Sequence, residues 1–121
     1  MQELSNQSLE HIVFFMLKPF ENNEMDTIQK LIYDISLISG VVYCYFEKNL
    51  SDRSKGYNYF LRMGFENEKD LLVYQPHKSH ILLKSFLSEY VMDLLILDYY
   101  IPKIYKHQPS KPNQQENQLY L

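Results

Sequence analysis

The chain has 121 residues, which is the length of one compact domain rather than two. Its hydrophobic content of 45%, with seven Phe and eleven Tyr, provides enough apolar surface for a packed core and excludes intrinsic disorder for most of the sequence. The 12 basic and 15 acidic residues give a net charge of −3 and are scattered, which excludes the basic patch that nucleic-acid binding requires.

The sequence also indicates a reducing compartment and no membrane anchor. Cys44 is the single cysteine, so an intramolecular disulfide and a thiolate metal site are both excluded. The N-terminus lacks the basic flank of a signal peptide, and no apolar run approaches the roughly 18 residues that a membrane span needs. We therefore expect a cytoplasmic protein without a membrane partner.

The first two elements are predicted to be a strand and an amphipathic helix. Residues 11–18 are β-branched and aromatic on both alternating faces, as in a strand that is buried on both sides. Asn23, with Asp26 three residues later, is typical of a helix start. Apolar residues then recur at helical spacing until Gly40 ends the run, at Ile28, Leu31, Ile32, Ile35 and Ile38.

Two further strands are predicted on either side of a polar connection. Residues 41–48 and 57–65 are rich in β-branched and aromatic side chains, and the segment between them carries turn residues. Such a pair predicts neighbouring antiparallel strands.

A broken helical region and a last strand complete the order. Asn67, with Asp70 three residues later, predicts a capped helix start, and Pro76 interrupts the helix that follows. Residues 91–101 have strand composition, and Pro102 closes them. The order β-α-β-β-α-β predicts an α+β, ferredoxin-like fold, with a four-stranded antiparallel sheet and the helices on one face.

This order also predicts the domain limits and the assembly. We expect an N-terminal extension at residues 1–9, one domain at residues 10–105, and a polar, flexible tail at residues 106–121. Two helices cover only one face of the sheet, yet the first and last strands carry apolar residues on both faces. We therefore expect a homodimer in which two sheets pack face to face as a dimeric α/β barrel. Coverage by the C-terminal tail is the alternative.

One short segment concentrates proton-handling side chains beside the predicted core. Tyr74, His77 and His80 lie within seven residues of one another. On an unbroken helix Tyr74 and His80 would point about 240° apart, so only a bend at Pro76 would bring them together. Neutral His can accept a proton and Tyr can donate to an oxyanion, which is sufficient for carbonyl chemistry. The alternative is that these residues only line a helix–sheet junction.

Motifs spread over residues 10–101 match a known family in their order and spacing. They are Glu10-His11-Ile12-Val13, Gly40-Val41, Asn49-Leu50-Ser51, Arg53-Ser54-Lys55-Gly56-Tyr57, Phe65-Glu66, Tyr74 with His77 and His80, and Asp98-Tyr99. On these motifs the chain resembles the stress-responsive α/β-barrel (Dabb) family of the dimeric α/β-barrel superfamily. The resemblance implies a ferredoxin-like homodimer with a pocket between the sheet and the helices of each subunit.

The resemblance also implies an activity and its residues. Olivetolic acid cyclase, a plant member of the family, closes a linear polyketide thioester by aldol condensation without metal or cofactor, using a Tyr-x-x-His-Pro-x-His motif. By this resemblance His80 is the base, Tyr74 the oxyanion donor, and His11 orients substrate or a water. The chain departs from the motif because Pro76 precedes His77, whereas the family has proline directly after the first histidine.

Further residues are expected at the pocket or at other sites. The expected ligand pocket comprises His77, Phe15, Tyr59 and Leu95. A metal at His77-x-x-His80 is disfavoured, because the Glu of a zinc-protease motif and a third ligand are missing. Cys44, between two tyrosines, is interpreted as a small buried residue rather than a nucleophile. Asp98 is expected to be a strand-end partner for a histidine or a backbone amide.

Two functions of different classes remain open. The first is a small dimeric protein with a pocket for a small apolar or carbonyl ligand and no cofactor. The alternative is a cofactor-independent polyketide cyclase or lyase. A cofactorless monooxygenase fits less well, because nothing in the sequence marks an oxygen-activating site.

Overall fold

The computed structural model describes residues 7–21 and 23–102. Its elements in chain order are β1 (Gln7–Leu17), α1 (Glu24–Ser36), β2 (Val41–Lys48), β3 (Tyr59–Phe65), α2 (Glu68–Tyr74), α3 (Lys78–Leu87) and β4 (Val91–Pro102). The four strands form one sheet in the order β2-β3-β1-β4, with every neighbouring pair antiparallel. The predicted α+β, ferredoxin-like architecture is confirmed. The expected flexible tail at 106–121 lies outside the described residues.

Two strand starts differ from the prediction. β1 begins at Gln7, so residues 7–9 of the expected N-terminal extension belong to the sheet, where they pair with the end of β4. β3 begins at Tyr59 rather than at residue 57, because Asn58 hydrogen-bonds through its side chain to Leu17 at the end of β1 and is not part of the strand. The Asn58 side chain accepts a hydrogen bond from Leu17 N at 2.9 Å and donates one to Leu17 O at 3.0 Å.

The two predicted helix caps have different outcomes. Asn67 caps α2 as predicted, because its side-chain oxygen accepts a hydrogen bond from Asp70 N at 3.1 Å. Asn23 precedes α1, but its side chain makes no capping hydrogen bond. At that end Glu24 instead accepts a hydrogen bond from Glu21 N at 2.6 Å.

The helices pack on one face of the sheet, the inner face, and the buried core lies between them. Directly paired residues of antiparallel strands share a face. Phe15 pairs with Leu94, and both point to the inner face, whereas Phe14 pairs with Leu95 on the opposite, outer face. The core contains the buried side chains Leu9, Val13, Phe15, Leu17, Ile28, Ile32, Ile35, Ile38, Phe46, Leu61, Met63, Phe65, Leu71, Tyr74, Leu83 and Leu87.

The outer face is apolar towards β4 and polar towards β2. Leu95 is 56% exposed and Leu97 is 45% exposed, so the apolar surface expected on this face is present in the single chain. On the β2 side, Arg62 Nε lies 2.8 Å from Oε1 of Glu10, a residue that is only 2% exposed. Glu10 also accepts a hydrogen bond from the hydroxyl of Tyr43.

Arg62 connects this ion pair to two tyrosines. Its guanidinium donates to the hydroxyls of Tyr43 and Tyr45 at 3.2 Å each. Burial, followed by the hydrogen bond to Glu10, raises the pKa of Tyr43 to about 12, so the phenol stays protonated near neutral pH. These two tyrosines therefore belong to an outer-face network.

Candidate functional site

A cavity of about 400 Å³ lies between α3 and the β1–β4 half of the inner face. Most of its wall is aliphatic or aromatic, and its polar atoms come from His11 of β1 and from a few residues at the α2–α3 junction and along α3. The lining residues are His11, Val13, Phe15, Leu61, Tyr74, Gln75, His80, Leu83, Lys84, Leu87, Ser88, Val91, Leu94 and Ile96. An apolar cavity with few polar groups is typical of a small-molecule site.

The break at Pro76 brings Tyr74 and His80 together. α2 ends at Tyr74 and α3 begins at Lys78, so the two rings belong to different helices. The rings stack with centroids 4.2 Å apart and an interplanar angle of 29°. The bend that the sequence suggests at Pro76 therefore produces a direct contact.

His80 has a defined proton position. Its Nδ1 lies 2.9 Å from the carbonyl oxygen of Gln75, and a carbonyl only accepts, so Nδ1 carries the hydrogen. Nε2 has no hydrogen-bond partner among the described residues and is not fully enclosed. Burial lowers the pKa of His80 below 6.5, and the nearby charge of Lys84 lowers it further, against an opposing effect of the Gln75 hydrogen bond. At neutral pH His80 therefore offers Nε2 as an unprotonated base.

A second histidine lies on the sheet side of the cavity. His11 of β1 pairs with Asp98 of β4 in the strand register, and His11 Nδ1 lies 2.5 Å from Asp98 Oδ1. The carboxylate accepts this hydrogen bond, which leaves His11 Nε2 without a partner among residues 7–21 and 23–102. The histidine partner that the sequence suggests for Asp98 is thus present.

Tyr74 presents its ring, rather than its hydroxyl, to the cavity. The residue is 1% exposed, and its hydroxyl is fully buried with no hydrogen-bond partner in the described part of the chain. Burial raises the pKa of Tyr74, and proximity to Cys44 raises it further, so the phenol stays protonated. Its ring also contacts the His11 ring, at a centroid distance of 6.2 Å. Tyr74 is therefore a common support for both imidazoles.

Three of the four expected pocket residues do not line the cavity, although Phe15 does. His77 is the N-cap of α3, where its Nδ1 accepts a hydrogen bond from Ser79 N at 3.1 Å. Tyr59 stacks on Phe46, with centroids 5.3 Å apart, away from the cavity wall. Leu95 lies on the outer face, because strand alternation turns it away from the inner-face residue Leu94.

Other cavity residues were not expected from the sequence. The Gln75 carbonyl orients His80, and a backbone acceptor leaves no signal in a sequence. Lys84 lines the wall one helical turn after His80, and the i, i+4 spacing could have revealed it. No group of three or more potential metal ligands occurs among the described residues.

The fold and the cavity define a ferredoxin-like α+β domain with a pocket between sheet and helices. The sequence model of the stress responsive A/B barrel domain family matches residues 9–101. The chain therefore belongs to this family, and the resemblance seen in its motifs is confirmed. A comparison with curated protein sequences finds no significant match.

Solved structures share this fold at low sequence identity. A dimeric protein of unknown function from Bacteroides fragilis has a TM-score of 0.66 and 22% identity, covering 78% of this chain and 96% of its own. A Dabb family protein from Mesorhizobium loti has a TM-score of 0.67 and 22% identity, and the match covers 79% of this chain and 97% of that protein. A hydroxynitrile lyase from Passiflora edulis has a TM-score of 0.69 and 16% identity, and the match covers 81% of this chain and 96% of that protein.

Within residues 7–21 and 23–102, no helix is long and apolar enough to cross a membrane.

Proposed function

We propose that the cavity binds a small, largely apolar carbonyl compound. The observation that carries this proposal is the pair of histidines, His11 and His80, each of which has Nδ1 hydrogen-bonded and Nε2 free in an otherwise apolar cavity. The cavity volume of about 400 Å³ suits a compound of roughly ten to twenty non-hydrogen atoms. Such a ligand would gain affinity from burial, and the acceptor Nε2 atoms would orient its acidic C–H or enol O–H group.

A matched pair of tryptophan variants on α3 tests this binding site. Leu83 is buried in the cavity wall, whereas Leu82 is about half exposed. Leu83→Trp should fill part of the cavity and weaken binding of 1-phenyl-1,3-butanedione at least about tenfold, which corresponds to about 1.4 kcal/mol. Leu82→Trp should leave the affinity within about twofold. Calorimetric titration measures both, and equal affinities in the two variants, or no binding by the wild type, would contradict the proposal.

The specific observation favouring catalysis is the fixed tautomer of His80. With Nδ1 donating to the Gln75 carbonyl, Nε2 can remove a proton from a carbon between two carbonyls, and the C–H electron pair becomes an enolate. In an aldol cyclisation the enolate carbon attacks a second carbonyl of the same molecule, and the imidazolium returns its proton to the new alkoxide. The second candidate function is therefore a cofactor-independent cyclase or lyase.

Two further points support this second candidate. The hydroxynitrile lyase from Passiflora edulis shows that a related fold can carry lyase activity. We propose that the Tyr74 hydroxyl, which is buried without a hydrogen-bond partner in the described part of the chain, becomes the oxyanion donor when ligand binding exposes it. His11, held by Asp98, would orient the substrate or a water.

We also propose that a second copy of the chain packs on the outer face. The Bacteroides fragilis protein and a ferredoxin-like protein from Thermobifida fusca are described as dimeric, and the exposed Leu95 and Leu97 offer an apolar surface for such an interface. Light scattering should return twice the chain mass of 14.6 kDa at micromolar concentration. A mass near that of one chain would refute the dimer.

The unpaired thiol of Cys44 suits a cytoplasmic location.

A further inference from the structure

Lys84 is an unexpected feature of a cavity that is otherwise apolar or neutral. It is the one lysine or arginine among the lining residues, and no Asp or Glu lines the wall. Lys84 makes no ion pair or hydrogen bond with any residue that the structure describes. Lys84 is an exposed residue in the last turn of α3, so it brings to the cavity wall a positive charge that has no ion-pair partner among the described residues.

The position of Lys84 sets a distance from the proposed base. His80 and Lys84 are four residues apart on α3, so their Cβ atoms are about 5–6 Å apart on one face of the helix. Beyond Lys84 the wall is mostly apolar and includes Leu87 of α3 and Val91 and Leu94 of β4, with Ser88 as a polar exception. A ligand that lies along α3 would thus meet an imidazole, an ammonium group and an apolar surface.

We propose that the ligand is an oxo-carboxylate with an apolar substituent, in which the C–H carbon beside the ketone faces Nε2 of His80 and the carboxylate pairs with Lys84. This inference rests on the proposed carbonyl-binding function and names its substrate class. A charge-assisted hydrogen bond at a partly apolar site is worth about tenfold in affinity.

A pair of matched ligands measures the contribution of the carboxylate. 4-Oxo-4-phenylbutanoate and its primary amide have the same ketone and phenyl group and differ in charge. The wild-type protein should bind the carboxylate about tenfold more tightly than the amide by calorimetric titration. The preference should weaken as salt is raised from 50 to 500 mM, because part of the interaction is electrostatic.

Variants on α3 then assign the preference to one side chain. Lys84→Met should reduce the tenfold preference to about twofold or less, while affinity for the amide stays within about twofold. Lys78→Met, on the same helix but outside the cavity wall, should keep the full preference.

The possible outcomes separate this inference from the carbonyl-binding proposal. If carboxylate and amide bind equally, and Lys84→Met changes neither, the oxo-carboxylate class is wrong but carbonyl binding stands. If neither compound nor 1-phenyl-1,3-butanedione binds, the carbonyl-binding proposal itself fails. If Lys78→Met removes the preference as fully as Lys84→Met, the effect is a general surface charge and the assignment to Lys84 is overturned.

Discussion

An Arg62→Met variant is expected to lose about 2–3 kcal/mol of unfolding free energy per chain, because the Arg62 side chain is 38% exposed and only Glu10 is fully buried. Arg62 is the cation that neutralises Glu10, whose side chain is 3% exposed. Removing the guanidinium leaves the Glu10 carboxylate without its cation, and breaks the hydrogen bonds to Tyr43 and Tyr45. The cost is large because an unpaired buried charge is expensive, not because the ion pair itself is strongly stabilising.

Urea unfolding at fixed protein concentration measures this loss, and two controls isolate its cause. Arg53→Met removes an exposed cation from the β2–β3 connection and should change stability by no more than about 0.5 kcal/mol. The double variant Glu10→Gln, Arg62→Met removes both charges and should recover more than half of the loss. A single Arg62→Met variant as stable as Arg53→Met would show that Glu10 is not buried as described.

The largest functional effect is expected at His80. If Nε2 of His80 is the base, His80→Gln should slow deuterium exchange at the central carbon of 1-phenyl-1,3-butanedione at least about 100-fold, because general-base catalysis contributes about 10²–10⁴-fold. Glutamine can still donate to the Gln75 carbonyl, so the local structure should survive. Proton NMR in D₂O follows the exchange without knowledge of the natural substrate.

His77 provides the matched control, because it is an imidazole three residues away that does not line the cavity. His77→Asn keeps an acceptor at the α3 N-cap, so exchange should stay within about twofold of wild type. Equal rates for wild type and His80→Gln would contradict the assignment. Loss of exchange in His11→Gln with full activity in His80→Gln would transfer the role of base to the histidine held by Asp98.

The lowered pKa of His80 also sets the pH dependence of exchange. Burial favours the neutral imidazole in the folded protein, so the base stays available at a pH where an exposed histidine is already half protonated. The catalysed rate should be level between pH 7 and 8 and should fall only below pH 6.5. Because of the same shift, the folded protein binds fewer protons than the unfolded chain. The stability that His80 contributes is therefore lost as the pH falls from about 6.5 through the lower pKa that His80 has in the folded protein.

The sequence predicts the architecture well because strong local patterns agree with one another. The isoleucines of α1 recur at helical spacing and are buried, and residues 41–48 form β2 with the predicted limits. Pro76 removes a backbone donor inside an apolar-periodic run, which is why the break between α2 and α3 is predictable. The contact of Tyr74 with His80 follows from that break.

The sequence predicts the site less completely because side-chain direction depends on register and on local competition. Leu95 and Leu94 are equally apolar, and only the pairing of β4 with β1 decides which one reaches the cavity. His77 and His80 are both histidines of the same short segment, but the displaced proline makes His77 the N-cap of α3 and removes it from the cavity wall. The burial of the Tyr74 hydroxyl depends on packing between α2 and the sheet, which no short motif encodes.

Histidine NMR tests most directly whether His80 is a neutral, Nδ1-protonated imidazole that faces a ligand cavity. In protein with ¹⁵N-labelled histidine, long-range ¹H–¹⁵N spectra recorded from pH 5 to 8 report the tautomer and pKa of each ring. The structure predicts that His80 is the Nδ1–H tautomer, that its pKa lies below 6.5, and that its Nε2 resonance shifts on saturation with 1-phenyl-1,3-butanedione. An Nε2–H tautomer, a pKa above 6.5, or a resonance unmoved by the saturating diketone would contradict the claim.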